Sequence, residues 1–237
     1  MNIRKTKLVF GTLRRRKVTR GLVLHHIAAR TATPEQIHRE HVRRGWQGAG
    51  YHVYVRKDGS AWELRPLWAV GSHAGSRLPA GRGNNTETVA VAMEGMFHSS
   101  GREAVDKEMP AAQYNMLVGV IKYLMREYPS IEWIRAHREM PGVATACPGE
   151  FFPLDKIKAD VTAPAIRAGS AVRVRPEAKR WATGQVIPAW VKESIYTVTQ
   201  VSVDETRALL SDVHSWIFVT DLIHAEKSLQ AEKRHED

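Results

Sequence analysis

A single cysteine, Cys147, stands in this chain of 237 residues. No intramolecular disulfide is therefore available, and packing has to hold the fold. No stretch approaches the ~20 consecutive apolar residues of a membrane-crossing helix, which argues against stable membrane insertion. The opening residues, MNIRKTKLVFGTLRRRKV, contain an apolar run that Arg14, Arg15, Arg16 and Lys17 cut short. A secretory signal needs an uninterrupted apolar core and a small-residue cleavage site, so synthesis in a cytoplasm is expected. Acidic residues are scarce as well: 25 Asp and Glu against 35 Lys and Arg leave a formal charge of +10. The first twenty residues hold eight Lys or Arg and no Asp or Glu. Such a field attracts polyanions, whether nucleic acid, anionic lipid or wall polymers, and chooses none of them.

Up to about residue 160 the chain alternates helical and strand patterns. GLVLHHIA is an apolar run of strand length. TPEQIHREHVRRG carries helix signals, with Thr33 as N-cap, Pro34 at the first helical position and Gly45 as the stop. YHVYVRKDGSAWELRP reads as a hairpin around Asp58-Gly59, and ETVAVAME as another strand. After Pro110, the residues Tyr114, Leu117, Val118, Ile121, Leu124, Met125 and Tyr128 recur at helical spacing until Pro129 ends the pattern. EWIRAH is a short strand. The fold class expected is mixed α/β, a mixed central sheet flanked by helices over residues 1–160. Residues 161–170, rich in Pro, Gly and small side chains, read as a linker. Beyond it, AVRVRP, GQVIPAWV, SIYTVTQVS, TRALLSD and SWIFVTDLI read as five short strands, and a small all-β barrel over 171–225 accommodates them. Residues 226–237 are a charged tail.

Of eleven histidines, His38, His41, His98, His214 and His224 have no distinguishing context. His25, its neighbour His26, His73 in AVGSHAG and His137 stand at strand ends or in a Gly-flanked loop. Zinc takes nitrogen and sulfur ligands, and a catalytic site uses three protein ligands with one position left open. In HREMPGVATAC a strand ends and a loop folds back, so His137 and Cys147 can converge. The third ligand must come from a distant strand. His25 or His26 qualifies, and alternation along a strand lets only one of them reach the metal. A thiol-protease arrangement, with Cys147 and a histidine base, competes at this point.

The stretches GLVLHHIAA, GAGYHVYVRKDGSAWELRP, AVGSHAG and RAHREMPGVATACPGEFFPL occur in the order found in zinc-dependent N-acetylmuramoyl-L-alanine amidases. Residues 20–160 thus resemble that family, which includes phage lysozyme-type amidases and animal peptidoglycan recognition proteins. The resemblance implies a Zn²⁺ cofactor held by His25, His137 and Cys147, with His26 a packed or hydrogen-bonded neighbour. It implies that Tyr51 stands beside the reacting water. Thr145 falls where some relatives carry lysine and others threonine. Ala92 falls where a further branch carries a glutamate base, and Glu94 shares its strand face. The resemblance also implies that His73 and the GRGNNTETV loop, with Arg82, Asn84 and Asn85, line the substrate groove. The implied reaction is hydrolysis of the amide between N-acetylmuramic acid and L-alanine.

The C-terminal stretches VRVRPEAKRWATGQVIPAWV, YTVTQV and LLSDVHSWIFVTDL resemble the bacterial Src-homology-3-like domains attached to wall hydrolases. That implies a wall anchor, with Trp181, Trp190, Tyr196 and Trp216 as candidate contact surfaces or core residues. The pairing suggests a phage endolysin that acts on peptidoglycan and anionic wall polymers after release from the host cytoplasm. The rivals are a catalytically inactive peptidoglycan-binding protein, a hydrolase cutting within the stem peptide, and a nucleic-acid-binding protein. The last leaves the His/His/Cys set unexplained, so no nucleic-acid partner is expected. Oligomeric state is left open.

Overall fold

In a computed structural model, residues 1–75, 83–99 and 104–225 are described. Arg82 and the tail 226–237 lie outside them. The chain divides into two compact units, Met1–Ala163 and Pro164–Asp237.

The first unit is built on a six-stranded mixed sheet: β1 (Ile3–Lys5), β2 (Gly21–His26), β3 (Val53–Val55), β4 (Ala61–Glu63), β5 (Thr88–Met93) and β6 (Trp133–Ala136). Their order across the sheet is β1-β4-β3-β5-β2-β6. The hairpin pair β3–β4 is antiparallel, while β1–β4, β3–β5, β5–β2 and β2–β6 are parallel. At the hairpin turn the Asp58 carboxylate accepts from the Ser60 backbone N–H at 2.8 Å, and Gly59 takes φ +82°. β2 and β5, buried along their whole length, form the centre. Strands covered on both faces read as continuous apolar runs, which is why LVL and VAVAM lack alternation.

Side chains nonetheless divide by parity. Leu22, Leu24, Val89, Val91 and Met93 pack with Leu117, Val118, Ile121 and Leu124 of α2 (Ala111–Glu127) and Ile157 of α3 (Leu154–Thr162). On the other face Tyr54 and Ala92 pack with Ile37 of α1 (Pro34–Arg43). α1 begins with a capping box: the Thr33 hydroxyl oxygen accepts from the Gln36 N–H at 3.2 Å, and the Gln36 side chain accepts from the Thr33 N–H at 2.7 Å. Not every basic residue of the N-terminal run serves a surface field. The buried Arg16 guanidinium donates to the Thr19 hydroxyl (2.8 Å) and to the carbonyls of Ala69 (2.8 Å) and Leu67.

α3 corrects the expected linker, which was placed from residue 161. The helix runs to Thr162, burying Leu154, Ile157 and Val161, and the Ala163 N–H caps it at the Ala159 carbonyl.

The second unit is a five-stranded antiparallel sheet in the order β10-β9-β8-β7-β11. Its strands are β7 (Ala171–Val174), β8 (Tyr196–Val201), β9 (Arg207–Leu210), β10 (Trp216–Phe218) and β11 (Leu222–His224). The count of five matches expectation, but the members differ. GQVIPAWV supplies only a bridge between Arg180 and Val186, then a 3₁₀ turn over Ala189–Glu193. Pro188 has no N–H for a ladder, which ends pairing there. SWIFVTDLI instead yields two strands, split by a 3₁₀ turn at Val219–Asp221.

Candidate active site

β2 and β6 run parallel, and their carboxyl ends deliver His25 and, one residue past Ala136, His137. Ligand sites in open α/β sheets gather at that end of the strands. The loop after β6 is folded back on itself. The Arg138 N–H donates to the Cys147 carbonyl and its guanidinium to the Gly149 carbonyl, both at 2.8 Å. Gly149 is held at φ +107°, where an added Cβ would lie 2.0 Å from the Phe97 carbonyl oxygen. This clasp returns Cys147 to His137.

One ligand atom from each of His25, His137 and Cys147 lies within 4.8 Å of the others. His25 Nδ1 is 3.8 Å from Cys147 Sγ, and the His25 and His137 ring centroids are 4.4 Å apart. Zinc–nitrogen and zinc–sulfur bonds of 2.0–2.3 Å set ligand-to-ligand spacings of roughly 3.5 Å in a tetrahedron. The donor types and spacing therefore fit zinc with a small contraction. His26 points the other way, as strand alternation requires, and its Nδ1 accepts the Phe97 N–H at 3.2 Å.

The ionisation states favour metal over thiol chemistry. Burial lowers His137 to about 4 and holds His25 well below the usual histidine range, so both imidazoles are neutral near pH 7. Burial pushes the Cys147 thiol up to about 12. A nucleophilic cysteine needs its pKa lowered by a neighbouring cation. Here the thiol is held protonated until something with a strong charge displaces the proton, as a metal does.

Two of the donors, His137 and Cys147, line a cleft of about 780 Å³ whose walls include Tyr51, His41, Thr145, Ala146 and His98, while His25 is fully buried beside them. The Tyr51 ring lies 5.0 Å from His25 and packs edge-on against His41 at 5.1 Å. Burial, and next the neighbouring Cys147, push its phenol upward, so it keeps its proton and can donate. The Thr145 oxygen accepts the Cys147 N–H at 3.2 Å. That contact pins the loop and leaves the hydroxyl hydrogen free to point into the cleft. Arg39, Arg43 and Arg44 of α1 and its C-cap line the same cleft, with Glu40 bonded to Arg43 (2.9 Å) and Arg44 (3.2 Å).

Other candidates stand elsewhere. His73 is buried behind His25, its Nδ1 3.0 Å from His25 Nε2, and is not among the residues lining the cleft. Asn85 uses its side-chain oxygen to accept the N–H groups of His73 and Ala74, each at 2.9 Å. Both therefore support the site from behind, in place of the groove-lining position expected. Glu94 is buried and engaged: it accepts from the Thr31 hydroxyl (2.7 Å), the Lys57 N–H (2.9 Å), the Ala32 N–H (3.3 Å) and Arg56 (3.3 Å). It clamps two loops and is not among the residues lining the cleft. His41 escaped the sequence reading because Arg39, Glu40, Arg43 and Arg44 surround it. The signal was its position four residues after Ile37, on the buried face of α1.

Residues 14–150 match the N-acetylmuramoyl-L-alanine amidase family. The chain is 30% identical over 113 residues to an endolysin of Escherichia phage T7, spanning 48% of this chain and 67% of that one. It is 27% identical over 136 residues to an endolysin of Enterobacteria phage T3, spanning 56% and 82%. Among solved structures, the amidase LysC from Clostridium intestinale matches with TM-score 0.59 and 32% identity, over 69% of this chain and 99% of that chain. Drosophila PGRP-LB shares the fold at TM-score 0.51 and 16% identity, over 65% and 91%. By its matched residues and its most similar relatives, the chain belongs to the N-acetylmuramoyl-L-alanine amidase family of peptidoglycan hydrolases.

Proposed function

We propose that this peptidoglycan amidase is a zinc enzyme in which His25, His137 and Cys147 hold the metal. The convergence of those three side chains, two of which line an open cleft, carries the reading. Bound zinc supplies Lewis-acid chemistry, polarising a carbonyl and making water nucleophilic near neutral pH. The bond cut is the amide joining the lactyl group of N-acetylmuramic acid to L-alanine. The phenol of Tyr51 and the hydroxyl of Thr145 donate to the oxygen on which negative charge develops. The cationic wall of Arg39, Arg43 and Arg44 suits the carboxylates of a stem peptide. A purified chain is expected to hold one zinc, and a chain without it would contradict the reading.

A preorganised oxyanion donor contributes about 3–4 kcal/mol. Tyr51→Phe is therefore expected to lower turnover by roughly two orders of magnitude while zinc stays bound. Steady-state kinetics beside metal analysis check this, and full activity in the variant would remove Tyr51 from the mechanism.

The second unit reads as a Src-homology-3-like wall anchor. Trp181 and Tyr196 are buried in its core, whereas Trp190 is 58% exposed. Trp190 lines a shallow depression of about 220 Å³ with Trp181, Pro188 and Asp212. A flat aromatic beside a polar rim suits a sugar or peptide. Trp190→Ala is expected to weaken pull-down of the full chain by cell walls several-fold without lowering its Tm. Unchanged pull-down would place wall binding elsewhere.

A further inference from the structure

His25 has two ring nitrogens, and only an unprotonated one can bind a metal. The choice between them is fixed by groups well behind the cleft. Thr88, the first residue of β5, is 1% exposed, and its hydroxyl contacts the Asn84 carbonyl. A carbonyl only accepts, so the Thr88 hydrogen is spent there. His73 Nε2 lies 3.2 Å from the same Thr88 oxygen. With the hydroxyl hydrogen committed, that contact is a hydrogen bond only if His73 carries its proton on Nε2. His73 Nδ1 is then a lone pair, 3.0 Å from His25 Nε2. His25 must donate from Nε2, which leaves Nδ1 bare. Nδ1 is the nitrogen that faces Cys147 Sγ at 3.8 Å.

We propose that Thr88 and His73 form a relay of ordered protons that holds His25 in the tautomer offering Nδ1 to the metal. His73 and Thr88 are positioning residues that act through His25. The inference rests on the zinc reading above and names what sets the ligand atom within it. His25 and His73 are 0% and 6% exposed. A cationic imidazole would find no carboxylate among the relay partners, so both rings stay neutral. His52, whose ring centroid is 5.9 Å from that of His73, does not compete for its protons. Its Nδ1 accepts the Ala90 N–H at 3.0 Å and its Nε2 lies 2.9 Å from the Ala69 carbonyl. The end of the relay also touches the ligand loop, because the Asn84 side-chain N–H donates to the Pro141 carbonyl at 3.0 Å. Gly71 keeps the ring space clear: an added Cβ would lie 2.5 Å from His73 Cδ2 and 2.9 Å from His52 Cε1.

The test is long-range proton–nitrogen NMR on the full chain with ¹⁵N-labelled histidine, in chelator and with zinc, beside direct zinc titration of Thr88→Val and Thr88→Ser. In the wild type, His25 and His73 are both expected to be protonated on Nε2 before metal is added, and His25 Nδ1 to be the nitrogen that shifts on zinc binding. Thr88→Val keeps the shape and removes the hydroxyl. It is expected to weaken zinc binding by several-fold to about tenfold, at or below the ~10–100-fold cost of losing the direct partner of a histidine ligand, because Thr88 acts one bond further back through His73. Thr88→Ser should restore it to within a few-fold of wild type. His25 protonated on Nδ1 in the metal-free wild type, or Thr88→Val binding zinc as tightly as wild type, would overturn the proposal. Should Thr88→Val fail to fold, the wild-type spectra alone decide it. A wild-type chain that binds no zinc would overturn the metal reading itself; zinc bound at His25 Nε2 would overturn the relay alone.

Discussion

Cys147→Ser is expected to lose zinc and activity together while the fold persists. The thiol sits where burial holds it up to about 12, so a metal must displace a proton to use it. A thiol can be ionised by a metal at neutral pH; a serine hydroxyl, far less acidic, resists. The loss in zinc affinity should exceed the ~10–100-fold that follows loss of a ligand's hydrogen-bond partner. The loss in turnover should exceed the ~10²–10³-fold cost of one oxyanion donor. The same chemistry gives a pH dependence with a definite sign. His137 is neutral above about 4 and burial holds His25 well below the usual histidine range, so near pH 7 only the thiol has a proton to release. Zinc affinity of the wild type should rise about tenfold per pH unit around neutrality, with one proton released per zinc. Titration calorimetry in buffers of different ionisation heat reads that proton. Cys147→Ser binding zinc as tightly as wild type would remove Cys147 from the ligand set.

Acid should unfold the metal-free chain early. His26, His41 and His52 are buried, and each accepts a backbone N–H at Nδ1, from Phe97, Gly50 and Ala90 respectively. A proton added at Nδ1 would meet a hydrogen already there. Burial, the largest cause in each case, lowers them from 6.5 to about 4, about 4 and about 3. Their folded values lie below the unfolded one, so the unfolded chain binds more protons between pH 6.5 and about 4. Stability is complete above 6.5 and is lost as pH falls through that window. At 1.36 kcal/mol per unit, each histidine contributes on the order of 3 kcal/mol. Three of them rival the whole stability of a typical domain, about 5–15 kcal/mol. Thermal unfolding in chelator should show Tm falling steeply from pH 6.5 towards 4.5. A flat Tm across that range would mean that these rings are not held neutral in the fold.

Local signals in this sequence were strong where one periodicity ran unbroken. The capped start of α1, the apolar stripe of α2 and the Asp58-Gly59 hairpin were all legible because neighbours along the chain decide them. α3 was missed because LDKIKADVT is short and runs into the proline-bearing segment that follows. The stretch GQVIPAWV misled because its apolar content suits a strand, while Pro188 lacks the N–H that a strand needs. Long-range relations were the least legible. His25 and His73 are 48 residues apart, and nothing in AVGSHAG says that its histidine turns inward to hold another. The basic N-terminal run likewise gives no sign that Arg16 will be buried against the backbone carbonyls of Leu67 and Ala69. The metal-ligand candidates were legible for the opposite reason: a lone cysteine and strand-ending histidines are rare enough to be counted.

The measurement that bears most directly on the account is mass spectrometry of purified peptidoglycan digested by the chain, by the chain in chelator, and by the chain in chelator with zinc restored. New L-alanine amino termini on intact glycan strands are expected, absent in chelator and regained with zinc. Cleavage at another bond, or the same termini undiminished in chelator, would contradict the zinc-amidase reading.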